Sequence, residues 1–148
     1  MIQSPLNYTG GKYRLLSQIL PLFPDDIETF VDLFCGGCNV GINVMANNHL
    51  YNDSSEQLIN LYWIMQRIDT EKFINSVDYI INEYHLSNVS KNGYDYYGCC
   101  SSDGLSKYNR ENYLKLRKNL NDNKNYDEEY FLKLYVLILY SFNNQIRF

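Results

Sequence analysis

Proline, histidine and tryptophan are scarce in this sequence. It holds three prolines (Pro5, Pro21 and Pro24, no two adjacent), two histidines and one tryptophan. His49 and His85 stand alone, which leaves little for metal ligation. The four cysteines do not fill that gap. Cys35 and Cys38 have the C-x-x-C spacing of a zinc or redox pair, but Cys99 and Cys100 are adjacent and make a poor second pair. No thioredoxin-like context surrounds them, so the expectation is reduced thiols and no metal. Long apolar runs are missing too. The longest, Leu134–Tyr140, has seven residues, whereas a membrane-spanning helix needs about 20. Met1–Ser4 carries no basic stretch leading into an apolar one, so no secretory signal is read and the cytoplasm is the expected location.

What is present is a globular composition. The 148 residues are 45% hydrophobic and 20% charged, enough for one core that buries about 70% of the unfolded surface. The net charge of −4 argues mildly against a nucleic-acid partner, but it is unevenly spread. Residues 1–84 carry four basic against ten acidic side chains, and residues 85–148 carry nine against seven. The asymmetry suggests that the back part meets an anion; the plainer reading is a solvated surface of mixed sign.

Periodicity gives the elements. Tyr8-Thr9-Gly10-Gly11-Lys12 is a turn. Tyr13–Leu20 reads as a helix ended by Pro21 and Pro24. Residues 29–34 read as a buried strand, Cys35–Asn39 as a glycine turn, and Val40–Ala46 as a helix. His49–Asn52 is a short second strand ending at Asp53. Ser54 or Ser55 caps a helix over Glu56–Arg67, and another covers Thr70–Tyr84. Ser87–Ser106 reads as a long polar loop. Tyr108–Leu120 is helical, and Tyr130–Phe142, apolar nearly all round, should be a buried helix. Alternating helix and strand followed by helices alone predicts an α/β fold: a parallel sheet begins in residues 1–84, and residues 85–148 are helical.

The strand Phe30–Phe34, its glycine turn and the following helix form a nucleotide-binding layout. Glycines let a ligand approach the backbone, and a helix N-terminus favours anions. Asp53 lies 17 residues beyond Gly36, near the spacing of an acid that accepts hydrogen bonds from ribose hydroxyls. The dinucleotide fingerprint G-x-G-x-x-G is not met. Gly36-Gly37-Cys38-Asn39-Val40-Gly41 has cysteine where the second spaced glycine belongs, and such a near-match is weak.

Three elements in order are more specific. Tyr8-Thr9-Gly10-Gly11-Lys12 precedes Phe30-Val31-Asp32-Leu33-Phe34-Cys35-Gly36-Gly37, and Asn52-Asp53 with Leu58-Ile59-Asn60 comes after. Together they resemble motifs X, I and II of the Dam-type DNA adenine methyltransferases, with most likeness to the phage branch. The closing stretch, Tyr135-Val136-Leu137 through Phe142-Asn143-Asn144-Gln145-Ile146-Arg147, is similar to that family's target-recognition helix and the start of its recognition hairpin. The resemblance implies the start of a class I, Rossmann-like methyltransferase sheet in residues 1–84. It also implies a mostly helical target-recognition part in residues 85–148.

It further implies S-adenosylmethionine as cofactor. Tyr8 and Lys12 match the positions that flank it, with Lys12 facing the methionine carboxylate. Asp32, Phe34 and Gly36 match motif I around the methionine and ribose, and Asp53 matches the acid on the ribose hydroxyls. Arg147 matches an arginine that reads guanine in GATC-type duplex DNA, the substrate whose adenine amino nitrogen takes the methyl group. Each residue also has a plainer role. Lys12 can be an ordinary surface lysine, Asp32 a strand-end cap, Asp53 the N-cap of the following helix, and Arg147 a terminal arginine. Lys115, Arg117 and Lys118 read as a solvated helix face.

The family's D-P-P-Y motif, which holds the flipped adenine, is absent from these residues. No catalytic residue is assigned, and the expectation is an N-terminal portion, inactive alone, whose partners are duplex DNA and a separate part carrying that motif. The competing readings are a non-catalytic DNA- or cofactor-binding module and part of a nicotinamide-dependent oxidoreductase.

Overall fold

Two short parallel strands organise the first part of the chain in the computed structural model, which describes residues 1–6, 8–100, 102 and 104–144. Ahead of them, the Tyr8–Gly11 turn is closed by the Gly11 N–H donating to the Tyr8 carbonyl at 3.0 Å. Gly10 sits at φ +79°, where a side chain would be strained. The helix expected over Tyr13–Leu20 is mixed. One α turn, α1 (Leu16–Ile19), lies between 3-10 turns at Tyr13–Leu15 and Leu20–Leu22. Pro21 falls inside the last of these, at a helix-start position where its missing N–H is not needed. Leu16 is fully buried.

Strand β1 (Ile27–Asp32) pairs in parallel with β2 (Ala46–Tyr51), Ile27 opposite Ala46 and Asp32 opposite Tyr51. Both strands start earlier than expected, and β1 is not buried. Val31 is 51% exposed and Leu50, opposite it, 59%. A continuous apolar run is buried on both faces only where something covers both, and among the described residues this sheet has two strands.

The helix expected over Val40–Ala46 does not form; the segment is a run of turns entering β2. Asn43 Nδ2 donates to the Asn39 carbonyl at 2.8 Å, and further side-chain bonds tie the segment to the start of the chain. Asn39 Oδ1 accepts the Ser4 N–H at 3.0 Å, and Asn43 takes the Ile2 N–H at 2.6 Å while its Nδ2 donates to the Ile2 carbonyl at 2.7 Å. The Gly41 N–H donates to Asp32 Oδ2 at 3.1 Å. Side chains of this kind offer the backbone partners that a helix would otherwise supply.

Helix α2 (Glu56–Arg67) occupies its expected range. The Leu58 N–H donates to the Ser55 carbonyl and to Ser55 Oγ, and Leu58 and Leu61 are fully buried. Helix α3 (Thr70–Glu83) starts where Asp69 accepts from the N–H groups of Glu71 and Lys72. The segment read as a polar loop contains α4 (Val89–Asn92), capped by Asn88, and a 3-10 turn at Asp95–Tyr97. Helix α5 (Ser106–Asp122), helix α6 (Glu128–Tyr140) and a 3-10 turn at Phe142–Asn144 follow. Asp127 caps α6 by accepting the Tyr130 N–H at 2.8 Å.

The chain divides within α2 into two compact units, Met1–Trp63 with the turn Phe142–Asn144, and Ile64–Ser141. In the second, α3 and α5 both pack on α6. Seven α6 side chains are buried, among them Phe131, Leu134, Val136 and Leu137, each contributing about 1.5–3 kcal/mol of burial. No described helix is long and apolar enough to cross a membrane.

Candidate functional site

The first unit encloses a cavity of about 300 Å³ against the glycine turn, at the small end of the range for ligand sites. Tyr8, Lys12, Asp32, Phe34, Gly36 and Asp53 all line it. They come from three separated stretches of sequence: the first turn, the end of β1 with the turn beyond it, and the residues after β2.

Asp53 links two of these stretches. Its Oδ2 accepts the Gly36 N–H at 2.9 Å and its Oδ1 accepts the Ser55 N–H at 3.0 Å. It therefore anchors the glycine turn and shapes the approach to α2, while Ser55 caps the helix. Asp32, at the end of β1, holds the Gly41 N–H. Burial raises the Asp32 carboxyl's pKa, the Gly41 hydrogen bond lowers it, and the nearby Asp53 charge raises it further. The Tyr8 hydroxyl is raised as well, first by burial and then by Asp53 and Cys35.

The floor of the cavity needs glycine. Gly36 sits at φ +46°, and a Cβ there would stand 3.2 Å from the Tyr8 ring. A Cβ on Gly37 would come within 3.0 Å of Tyr8 Cβ. Lys12 is exposed at the rim and its Nζ donates to the Gly10 carbonyl at 2.6 Å. The Phe34 ring is 83% exposed. The cavity thus offers two carboxylates as acceptors, one ammonium, an open aromatic face, and backbone that a ligand can approach closely.

Two contributors were not visible in the sequence. The Tyr62 hydroxyl, on α2, donates to the Gly36 carbonyl at 2.9 Å and holds the turn from behind. Asn39, buried behind the same turn, ties it to Ser4. Asn39, at the end of the segment read as a turn, and Asn43, in the segment read as helix, were a signal that side chains were serving the backbone. Nothing in the sequence marks Tyr62. Cys35 and Cys38 are buried thiols, and among the described residues no cysteine is in a disulfide. Burial pushes the Cys38 thiol well up, with Cys35 adding to it. Among the described residues no group of metal-ligating side chains comes together. On α5, Lys115 pairs with Glu111 at 3.0 Å and Lys118 pairs with Asp122, as a solvated helix face would. Arg147 lies outside the described residues.

Size and chemistry point to different places. A larger groove, about 680 Å³, lies in the second unit along α3 and α6. Its rim carries Glu71, Glu83, Glu128 and Glu129, and its one lysine, Lys72, is ion-paired with Glu128 at 2.6 Å. It lacks the glycine floor and the convergence of separate segments, so the smaller cavity is the better candidate.

Residues 8–147 match a family described as D12 class N6 adenine-specific DNA methyltransferase. The chain is 42% identical over 147 residues to the modification methylase StsI of Streptococcus sanguinis, and 43% identical over 147 residues to the type II methyltransferase M.FokI of Planomicrobium okeanokoites. Each alignment covers 99% of this chain and 19% of the relative. The modification methylase LlaI of Lactococcus lactis subsp. lactis is 30% identical over the same length, with 20% of the relative covered. The chain therefore spans about a fifth of the length of the curated relatives it matches.

Proposed function

The chain belongs to the D12 class N6 adenine-specific DNA methyltransferases, and from that premise we propose that its first unit binds S-adenosylmethionine in the cavity beside the Gly36-Gly37 turn. When bound, the cofactor supplies an activated methyl group, and the proposed acceptor is the amino nitrogen of adenine in duplex DNA. The observation that carries the reading is the convergence of Tyr8, Lys12, Asp32, Phe34, Gly36 and Asp53 on one cavity.

The residues suit the group. Asp53 keeps carboxylate lone pairs beyond the two backbone bonds it accepts, and these can take the ribose hydroxyls. Lys12 supplies a point charge at the rim for the methionine carboxylate. Asp32, Phe34 and Gly36 surround the methionine and ribose. Glycine at 36 and 37 lets the turn pack closely on Tyr8, where a Cβ would stand 3.2 Å from the ring and 3.0 Å from Tyr8 Cβ respectively. Residues 85–148 would form the target-recognition part, with Arg147 reading guanine through two parallel hydrogen bonds. Family membership displaces the nicotinamide-dependent reading.

Calorimetric titration of S-adenosylmethionine into the chain and its Asp53→Ala variant tests the assignment. The variant should bind about 1.5–3 kcal/mol more weakly, the worth of hydrogen bonds to a charged group. Equal affinity would leave Asp53 with only its backbone role.

A further inference from the structure

We propose that Arg14 is a phosphate contact for the DNA strand, in a second cavity that shares a wall with the cofactor cavity. This rests on the methyltransferase reading above. The second cavity, about 460 Å³, is lined by Gln3, Tyr13 and Arg14 together with the Tyr8–Gly11 turn and Asn39. Tyr8, Thr9, Gly10, Gly11 and Asn39 line both cavities, so one turn of backbone separates them.

The chemistry of the two differs. The cofactor cavity contains Asp32 and Asp53. Among the described residues, the second cavity has no carboxylate; its polar side chains are two amides, hydroxyls and one guanidinium. Lys12 and Arg14 are the only lysine or arginine in residues 1–63, against six aspartates and glutamates. Both positive charges of an otherwise acidic unit thus stand at one turn, each lining a different cavity. Among the described residues neither makes an ion pair. An exposed arginine facing an acid-free cavity has the fork of donors that a phosphate takes in pairs. The position also fits. A strand whose phosphate rests on Arg14 passes the wall behind which the methyl donor is held.

The test is the salt dependence of duplex binding by the full chain, followed by fluorescence anisotropy of a labelled duplex. Each phosphate contact contributes about −0.9 to the slope of log K against log salt. Arg14→Gln should bring the slope closer to zero by about that amount, and Arg14→Lys should keep it. S-adenosylmethionine affinity, measured calorimetrically, should be the same in all three proteins. An Arg14→Gln variant with the wild-type slope overturns the inference and leaves the methyltransferase reading standing. A drop in its cofactor affinity also overturns it, by assigning Arg14 to the cofactor's carboxylate. Wild-type chain that binds cofactor but no duplex overturns the DNA part of the reading and this inference with it.

Discussion

Gly41 shows how tightly single residues are specified beside the site. A Cβ there would lie 2.4 Å from Tyr51 Cε1 and 2.9 Å from Asp32 Oδ2, and Tyr51 is itself stacked on His49 with ring centroids 5.9 Å apart. Gly41→Ala should therefore lower stability by about 1–3 kcal/mol, as overpacking does, measured by chemical denaturation. The third glycine of the imperfect fingerprint thus serves packing rather than a phosphate. Tyr140 gives a second residue-scale expectation. Its hydroxyl donates to the Ser87 carbonyl, and burial raises its pKa from 10.0 to about 12. The unfolded chain then releases this proton first. The contribution is intact below pH 10 and is lost as pH rises through about 12. Between pH 9 and 11, the melting temperature of wild-type chain should fall further than that of Tyr140→Phe. At neutral pH the variant should be about 1–3 kcal/mol less stable, because the Ser87 carbonyl loses its donor.

At the scale of elements, caps decide where helices begin. Asp69 Oδ1 accepts from two N–H groups at the start of α3, at 2.9 and 3.1 Å. Asp69→Ala should cost about 1 kcal/mol, read from the denaturant midpoint. Helices whose signals are local were legible in the sequence. Helix α2 occupies its expected range, and α6 is buried as its composition required. The segment after the glycine turn was not legible, because Asp32 accepts the Gly41 N–H, Asn43 Nδ2 donates to the Asn39 carbonyl, and Asn39 and Asn43 tie the segment to Ser4 and Ile2. Nor was the exposure of β1, since an apolar strand does not say what covers it. The stretch Ser87–Ser106 was read as a loop from its polarity and its glycines, yet Asn88 starts a helical turn there, and the buried Asn109 amide bonds both the Ser87 N–H and Oγ at 2.8 Å. The cavity was legible through the order of three motifs; its support by Tyr62 was not, because a tyrosine on a helix face carries no mark of what its hydroxyl reaches.

The whole molecule sets an acidic first unit, with both of its cations at one turn, ahead of a helical second unit. These 148 residues should bind the methyl donor without using it, since no D-P-P-Y sequence is present to hold an adenine amine. Incubated with GATC-containing duplex and labelled S-adenosylmethionine, the chain should transfer no label above a protein-free blank; transfer would mean that other residues polarise the amine. The binding expectation depends on the cavity being the cofactor site, and backbone amide chemical shifts on titration with S-adenosylmethionine, and separately with NAD, probe that assignment residue by residue. Saturable shifts are expected at Gly10, Gly11, Gly36, Gly37 and Asp53 with S-adenosylmethionine, and none with NAD. Shifts confined to the groove along α3 and α6, or the same response to NAD, would overturn the assignment.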